Sequence, residues 1–218
     1  MGSILNAMRT ASAMCVLAML AMGGAEAQTR RPVPARARSV TEPVTVQCAH
    51  LLGEGVGTKR SFCDIRTGMD PALGAVIRLP SRQGVATLSF DLHNRHTFSA
   101  ELVESGRGYA RATATIGVLT MDGRLLTRAL ITTEFRREED LFDRVAAGDG
   151  MPGVKAVAPV GAETIVVEIP ANVDAVSLLG EKLVVAAAGR SETVTAPGHA
   201  VATISDVRLQ YRPRRGRR

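Results

Sequence analysis

From Ala86 the chain alternates apolar and polar residues with a period of two. Ala86, Leu88, Phe90 and Leu92 are separated by Thr87, Ser89 and Asp91 and followed by His93. Beyond Asn94-Arg95, Phe98, Ala100 and Leu102 alternate with Thr97, Ser99 and Glu101. This period sets one side of an extended strand against a core and the other in water. Residues 85–103 are therefore predicted to form an antiparallel hairpin turning at Asn94-Arg95. A second hairpin follows. Ala110, Ala112, Ala114, Ile116 and Val118 alternate with Arg111, Thr113 and Thr115, and residues 124–135 return as the partner. Between them Asp122-Gly123 supplies the residues that a two-residue type I′ turn favours.

Further strands are predicted at 43–49, 61–66, 74–79, 163–169, 174–179, 182–188 and 200–211, with a tight turn at Gly180-Glu181. Short strands at this density predict an all-β fold, an antiparallel β-sandwich of immunoglobulin-like or jelly-roll type. One short crossover helix is expected over 137–147 (REEDLFDRVAA). Glu138, Glu139 and Asp140 suit the positive end of a helix dipole, Asp140 and Arg144 are spaced for an i,i+4 pair, and Gly148 sits at the cap position. A single sandwich domain over 43–211 is expected. The Gly/Pro-containing loop 148–161 is the candidate internal boundary if there are two small β domains instead.

Ahead of this pattern lies a different one. Arg9 precedes the apolar run 11–24 (ASAMCVLAMLAMGG), and Ala25-Glu26-Ala27 gives the small-x-small pattern of a signal-peptidase site. The run is shorter than the roughly 20 residues a membrane span needs. Residues 1–27 therefore read as a cleaved secretory signal peptide, which places the mature chain in the periplasm or outside the cell and not in the membrane as an integral protein. Removal of Cys15 leaves Cys48 and Cys63. An even count in an exported chain predicts a disulfide, closing a ring of 16 residues.

The net charge of +6 is unevenly placed. Arg30, Arg31, Arg36 and Arg38 lie in the Pro/Arg-rich lead-in 28–42, and Arg212, Arg214, Arg215, Arg217 and Arg218 in the tail 212–218. Neither 28–40 nor 212–218 contains an acid, and the leader is neutral, so residues 41–211 carry −3. Both basic segments are expected to be disordered and to suit an anionic surface, such as an envelope polymer or lipid. They lack the interleaved aromatic residues that stack on bases, so no nucleic-acid partner is expected.

Catalytic and metal signals are sparse. Asp91, His93 and His96 (DLHNRH) are the nearest approach to a metal set, with two imidazoles and a carboxylate within one predicted hairpin. Asp140, Asp143 and Asp149 lack the spacing of a calcium loop and read better as a helix start and a turn. The run GEGVGTK (53–59) resembles a phosphate loop, but Thr58 stands where the glycine before the lysine belongs, so these glycines are assigned to a turn inside the disulfide ring. There is no Gly-x-Ser-x-Gly elbow and no Ser-x-x-Lys. Catalytic residues stay unassigned and no cofactor is expected. With no Trp and two Tyr, an aromatic sugar-stacking platform is disfavoured. The function expected from these features is an exported, non-catalytic β-sandwich that binds another envelope or extracellular component, whether an envelope protein or an anionic polymer or lipid. Two alternatives stand beside it. One is a secreted hydrolase of a polysaccharide or other polymer using strand carboxylates such as Glu101, Glu134 and Glu168; the other is a structural subunit of a surface assembly.

Overall fold

Two antiparallel sheets pack face to face in the computed structural model, which describes residues 38–98, 100–145, 156–187 and 189–214. The strands are β1 (Val40–Pro43), β2 (Val46–Gln47), β3 (Leu51–Glu54), β4 (Ser61–Arg66), β5 (Ala75–Arg78), β6 (Ala86–Phe98), β7 (Ala110–Thr120), β8 (Leu125–Phe135), β9 (Ala156–Ile169), β10 (Ala175–Ala187), β11 (Arg190–Val194) and β12 (Ala200–Tyr211). One sheet runs β3-β4-β12-β6-β9, with β1 also on β12. The other runs β2-β5-β10-β7-β8, with β11 also on β10. The fold is thus the expected all-β sandwich. Of the expected boundary loop 148–161, residues 156–161 belong instead to β9 and 148–155 lie outside the described residues; β9 pairs with β6 and β10 with β7, so strands from before and after this segment share each sheet.

The alternation does its work in the core. Leu88, Phe90 and Leu92 of β6 meet Ile204 and Leu209 of β12 on one inner face, and Ile116, Val118, Ile77, Val176 and Leu178 form the other, all buried. Burying a side chain of this size contributes about 1.5–3 kcal/mol, which makes these inner faces the main source of stability.

The predicted turn at Asn94-Arg95 does not exist. β6 runs unbroken from Ala86 to Phe98, and the register break opposite Leu92 and Asn94 is a bulge in β9, between Glu163 and Val160. Asn94 follows Leu92 by two residues and so faces the sandwich interior, where its amide donates to the Ala112 and Ile131 carbonyls and the Thr133 hydroxyl. Its NH2 group, read as part of a turn signal, is bonded across the core, while its side-chain oxygen is buried without a partner. The second hairpin forms where predicted, but through a three-residue loop. Thr120 N donates to Arg124 O and Gly123 N to Thr120 O, and only Gly123 in the loop has a positive φ, 84°. That is a type I turn closed by a left-handed glycine rather than type I′. Gly180-Glu181 is likewise a bulge within continuous β10. A Cβ on Gly180 would lie 2.4 Å from Val201 and 3.0 Å from the Thr67 amide, so the glycine serves close approach of the two sheets.

The short α-helix sits elsewhere than expected. It is α1 (Ala100–Glu104), between β6 and β7, so Glu101 is not on a strand. Over 137–145 there is one 3-10 turn, Glu138–Asp140, followed by extended chain; 146–155 lie outside the described residues. Asp140 does not reach along a helix to Arg144. Its carboxylate accepts the Arg136 and Arg137 amides, and Arg144 pairs with Glu138. β1 begins at Val40, inside the segment expected to be a disordered lead-in, and the predicted strand 43–49 divides between β1 in one sheet and β2 in the other. Among the described residues no helix is long and apolar enough to cross a membrane.

Candidate functional site

β12 organises the first candidate region. Its last residues pair with β1 in the register Val40↔Tyr211, Thr41↔Gln210, Glu42↔Leu209. Tyr211 also donates to the Glu42 carboxylate at 2.8 Å. The chain therefore enters the sandwich beside the point where it leaves. Arg38 lies two residues before that pair and Arg212 one residue after it. The tail continues into contact with the β5–β6 loop: Gln83 N donates to Arg212 O at 2.8 Å and Arg214 N to Ser81 O at 3.2 Å. Residues 212–214 are thus held by backbone bonds. Arg30, Arg31, Arg36, Arg215, Arg217 and Arg218, the signal segment 1–27 and Asp149 lie outside the described residues.

The second region lies further along β12. β4 pairs with it up to Ile204, β1 pairs from Arg208, and β6 pairs on its other side with a register break between Ser205 and Arg208. β1 and β4 thus lie end to end along one edge of β12, and the bulge leaves a slot between them. The slot is a cavity of about 440 Å³ lined by Val44, Val46, Arg60, Phe62, the Cys48–Cys63 disulfide and Ser205 to Val207. The cysteines are joined as predicted, with Cα atoms 5.8 Å apart. Asp206 occupies the bulge with φ 48°.

Beside this slot is a buried polar and aromatic cluster on the outer face of the β4–β12–β6 sheet. His93 Nδ1 lies 2.5 Å from the Gly161 carbonyl oxygen and Nε2 2.9 Å from Ser205 Oγ. The ring is edge-on to Phe62 and lies 4.5 Å, centroid to centroid, from Phe142. Burial pushes the His93 pKa down, against the opposing pull of the Gly161 bond and the Asp91 charge, which favours the neutral ring. Arg60 donates to Asp91 at 2.7 Å, and Thr164 donates to the other Asp91 oxygen at 2.7 Å.

A strap covers the cluster. After β8 the chain bridges to β9 at Leu141↔Val160 and to the β3–β4 turn at Val145↔Gly55, carrying Phe142 onto His93. Its anchor is Asp143, which accepts the Gly57 amide at 3.0 Å, the Thr58 amide at 2.8 Å and the Thr58 hydroxyl at 2.5 Å. Burial of this carboxylate tends to raise its pKa, and the bonds from Thr58, Gly57 and Arg144 outweigh that and hold it low. The glycine-rich run is therefore an anion-binding turn after all, and the anion is the chain's own carboxylate.

The three residues of the metal reading are not brought together. Asp91 is engaged by Arg60 and Thr164, His93 by Gly161 and Ser205, and His96 stacks on Phe135 of the opposite sheet. The cause is parity: His96 lies three residues beyond His93 on a continuous strand, so it faces the core while Asp91 and His93 face outward. Among the described residues no three His, Cys, Asp or Glu side chains form a metal-ligand group. Sequence reasoning missed Ser205, because nothing local in ATISDV marks a serine paired with a histidine 112 residues earlier.

No protein-family model matches the chain, and no curated protein matches it. Among solved structures, the VP2 subviral particle of infectious bursal disease virus matches at 13% identity over 81% of this chain and 32% of that one, with a TM-score of 0.23. The chain spans about a third of that protein's length, and so low a score carries no argument.

Proposed function

We propose that the protein is an exported β-sandwich that attaches to an anionic component of the cell envelope through one basic pole. The observation that carries this reading is the Val40↔Tyr211 register. Val40 and Tyr211, the residues to which the two basic segments are joined, pair side by side, so Arg38 and Arg212 flank one strand end. Charges gathered on one pole act on the same patch of a polyanion, and attachment by either segment raises the effective concentration of the other. The leader pattern, which directs the chain out of the cytosol, and the disulfide, which persists in oxidising compartments, support export.

The test is retention of the mature protein on envelope material at low and high salt. The comparison is with a variant in which Arg30, Arg31, Arg36, Arg215, Arg217 and Arg218 are replaced by Ser, leaving β1 and β12 intact. Retention that is lost at high salt and absent from the variant supports the reading. Equal retention of the variant overturns it. N-terminal sequencing of the exported protein is expected to begin at Gln28.

A further inference from the structure

We propose that Ser205 and His93 form a nucleophile–base pair, and that the slot beside them takes a small carboxylic ester for hydrolysis. This goes beyond envelope attachment and does not depend on it. Ser205 Oγ lies 2.9 Å from His93 Nε2, within reach for a hydroxyl donating to a neutral imidazole. The other ring nitrogen lies 2.5 Å from the Gly161 carbonyl, which only accepts. Nδ1 therefore carries the proton and Nε2 presents its lone pair to Ser205. Phe142 covers the ring, so the pair is shielded from bulk water on the strap side.

The slot supplies the place for a substrate. Ser205 is part of its lining, with an apolar floor of Val44, Val46 and Ile204 and the cation Arg60. Ser205 is 2% exposed, so a reacting carbon reaches it only by entering the slot. That selects a short acyl group over a polymer backbone. The residue after Ser205 is a left-handed Asp206, and a strained backbone beside a nucleophile is a recurrent feature of functional sites.

The chemistry balances without a cofactor. Ser205 Oγ attacks the ester carbonyl carbon while its proton passes to His93 Nε2. The tetrahedral oxyanion forms in the slot that Arg60, paired with Asp91, also lines, and collapses as the C–O bond to the leaving alcohol breaks. That alcohol takes the proton from His93. Water then attacks the acyl-serine by the same route and releases the carboxylic acid, restoring Ser205. His93 is oriented by a carbonyl rather than a carboxylate, so its imidazolium gains less stabilisation than in a Ser-His-Asp triad. Esters, whose leaving group needs less help from a proton than an amine does, are the matching substrate class.

The experiment is labelling of the folded mature protein with a fluorophosphonate probe, read by peptide mass mapping, alongside hydrolysis of p-nitrophenyl acetate and butyrate. The expected result is one adduct, on Ser205, formed about a hundredfold more slowly in His93→Gln and absent from Ser205→Ala, with ester turnover falling in the same order. The variant with neutralised arginines is expected to label at the wild-type rate, which separates this test from that of attachment. No adduct on Ser205 in the folded wild-type protein overturns the proposal, as does equal labelling in a folded His93→Gln. Should either variant fail to fold, the site of the wild-type adduct decides alone.

Discussion

The Asp143 carboxylate accepts the amide of Gly57 at 3.0 Å, joining points 86 residues apart in sequence. With the two bonds from Thr58, it ties the strap to the β3–β4 turn. Replacing Asp143 by Ala removes a charged acceptor and leaves the Gly57 and Thr58 amides without their partner. The expected cost is about 2 kcal/mol, measured by urea denaturation. Hydrogen exchange is expected to quicken at residues 141–145 and at Thr58 before any other part of the sandwich.

Gly55 shares that anchor from the other side. A Cβ there would lie 2.1 Å from Asp143 Oδ2 and 2.8 Å from Thr58 Oγ1. Gly55→Ala is therefore expected to expel the carboxylate and to cost at least as much as Asp143→Ala. In the double variant the losses should not add, because both changes destroy the same contact. Additive losses in a denaturation cycle would show that the glycine acts on something other than Asp143.

These contacts mark the limit of what the sequence discloses. Period-two alternation located β7 and β8 because each buries mainly one face on the core, whereas β4 and β12 are covered on both faces along much of their length. It failed where polar side chains make their bonds inside the fold or with distant segments. Asn94 looks like a turn residue and instead bonds three groups across the sandwich. Glu138, Glu139 and Asp140 look like a helix start but give only one 3-10 turn before the strap. The glycines at 53–57 were legible as a turn, while the carboxylate that fills it comes from 86 residues away and no local pattern announces it. The Ser205–His93 pair is hidden for the same reason, since a strand order that puts β12 beside β6 is not written in either strand.

The Cys48–Cys63 bridge closes a ring that contains β3 and the Asp143-binding turn. Constraining a ring of this length in the unfolded chain stabilises by about 3 kcal/mol. Cys48→Ser with Cys63→Ser is expected to lower the melting temperature accordingly. Loss of the ring should also loosen the turn that receives Asp143, so exchange at 141–145 should rise in the reduced protein too. Unchanged exchange there would mean that the turn holds its shape without the bridge.

Acid sensitivity follows from His93. Its folded pKa lies below the ordinary 6.5 because burial disfavours the charged ring; Arg60 adds to that, and the Gly161 bond and Asp91 oppose it. His96 is lowered by burial as well. Below pH 6.5 the unfolded chain binds protons at these positions that the folded chain refuses. Stability is therefore full above 6.5 and declines as pH falls toward the folded pKa values. A second decline belongs below 3.8, where Asp140 and Asp143, held low by backbone amides and by the Thr58 hydroxyl, take up protons in the unfolded state first. Denaturation midpoints measured from pH 7.5 to 3 are expected to show both steps. His93→Gln should flatten the upper step in part, leaving the share due to His96, while Asp143→Asn should act on the lower step alone. An upper step of undiminished size in a folded His93→Gln would show that the His93 ring accepts its proton without leaving the Gly161–Ser205 cleft.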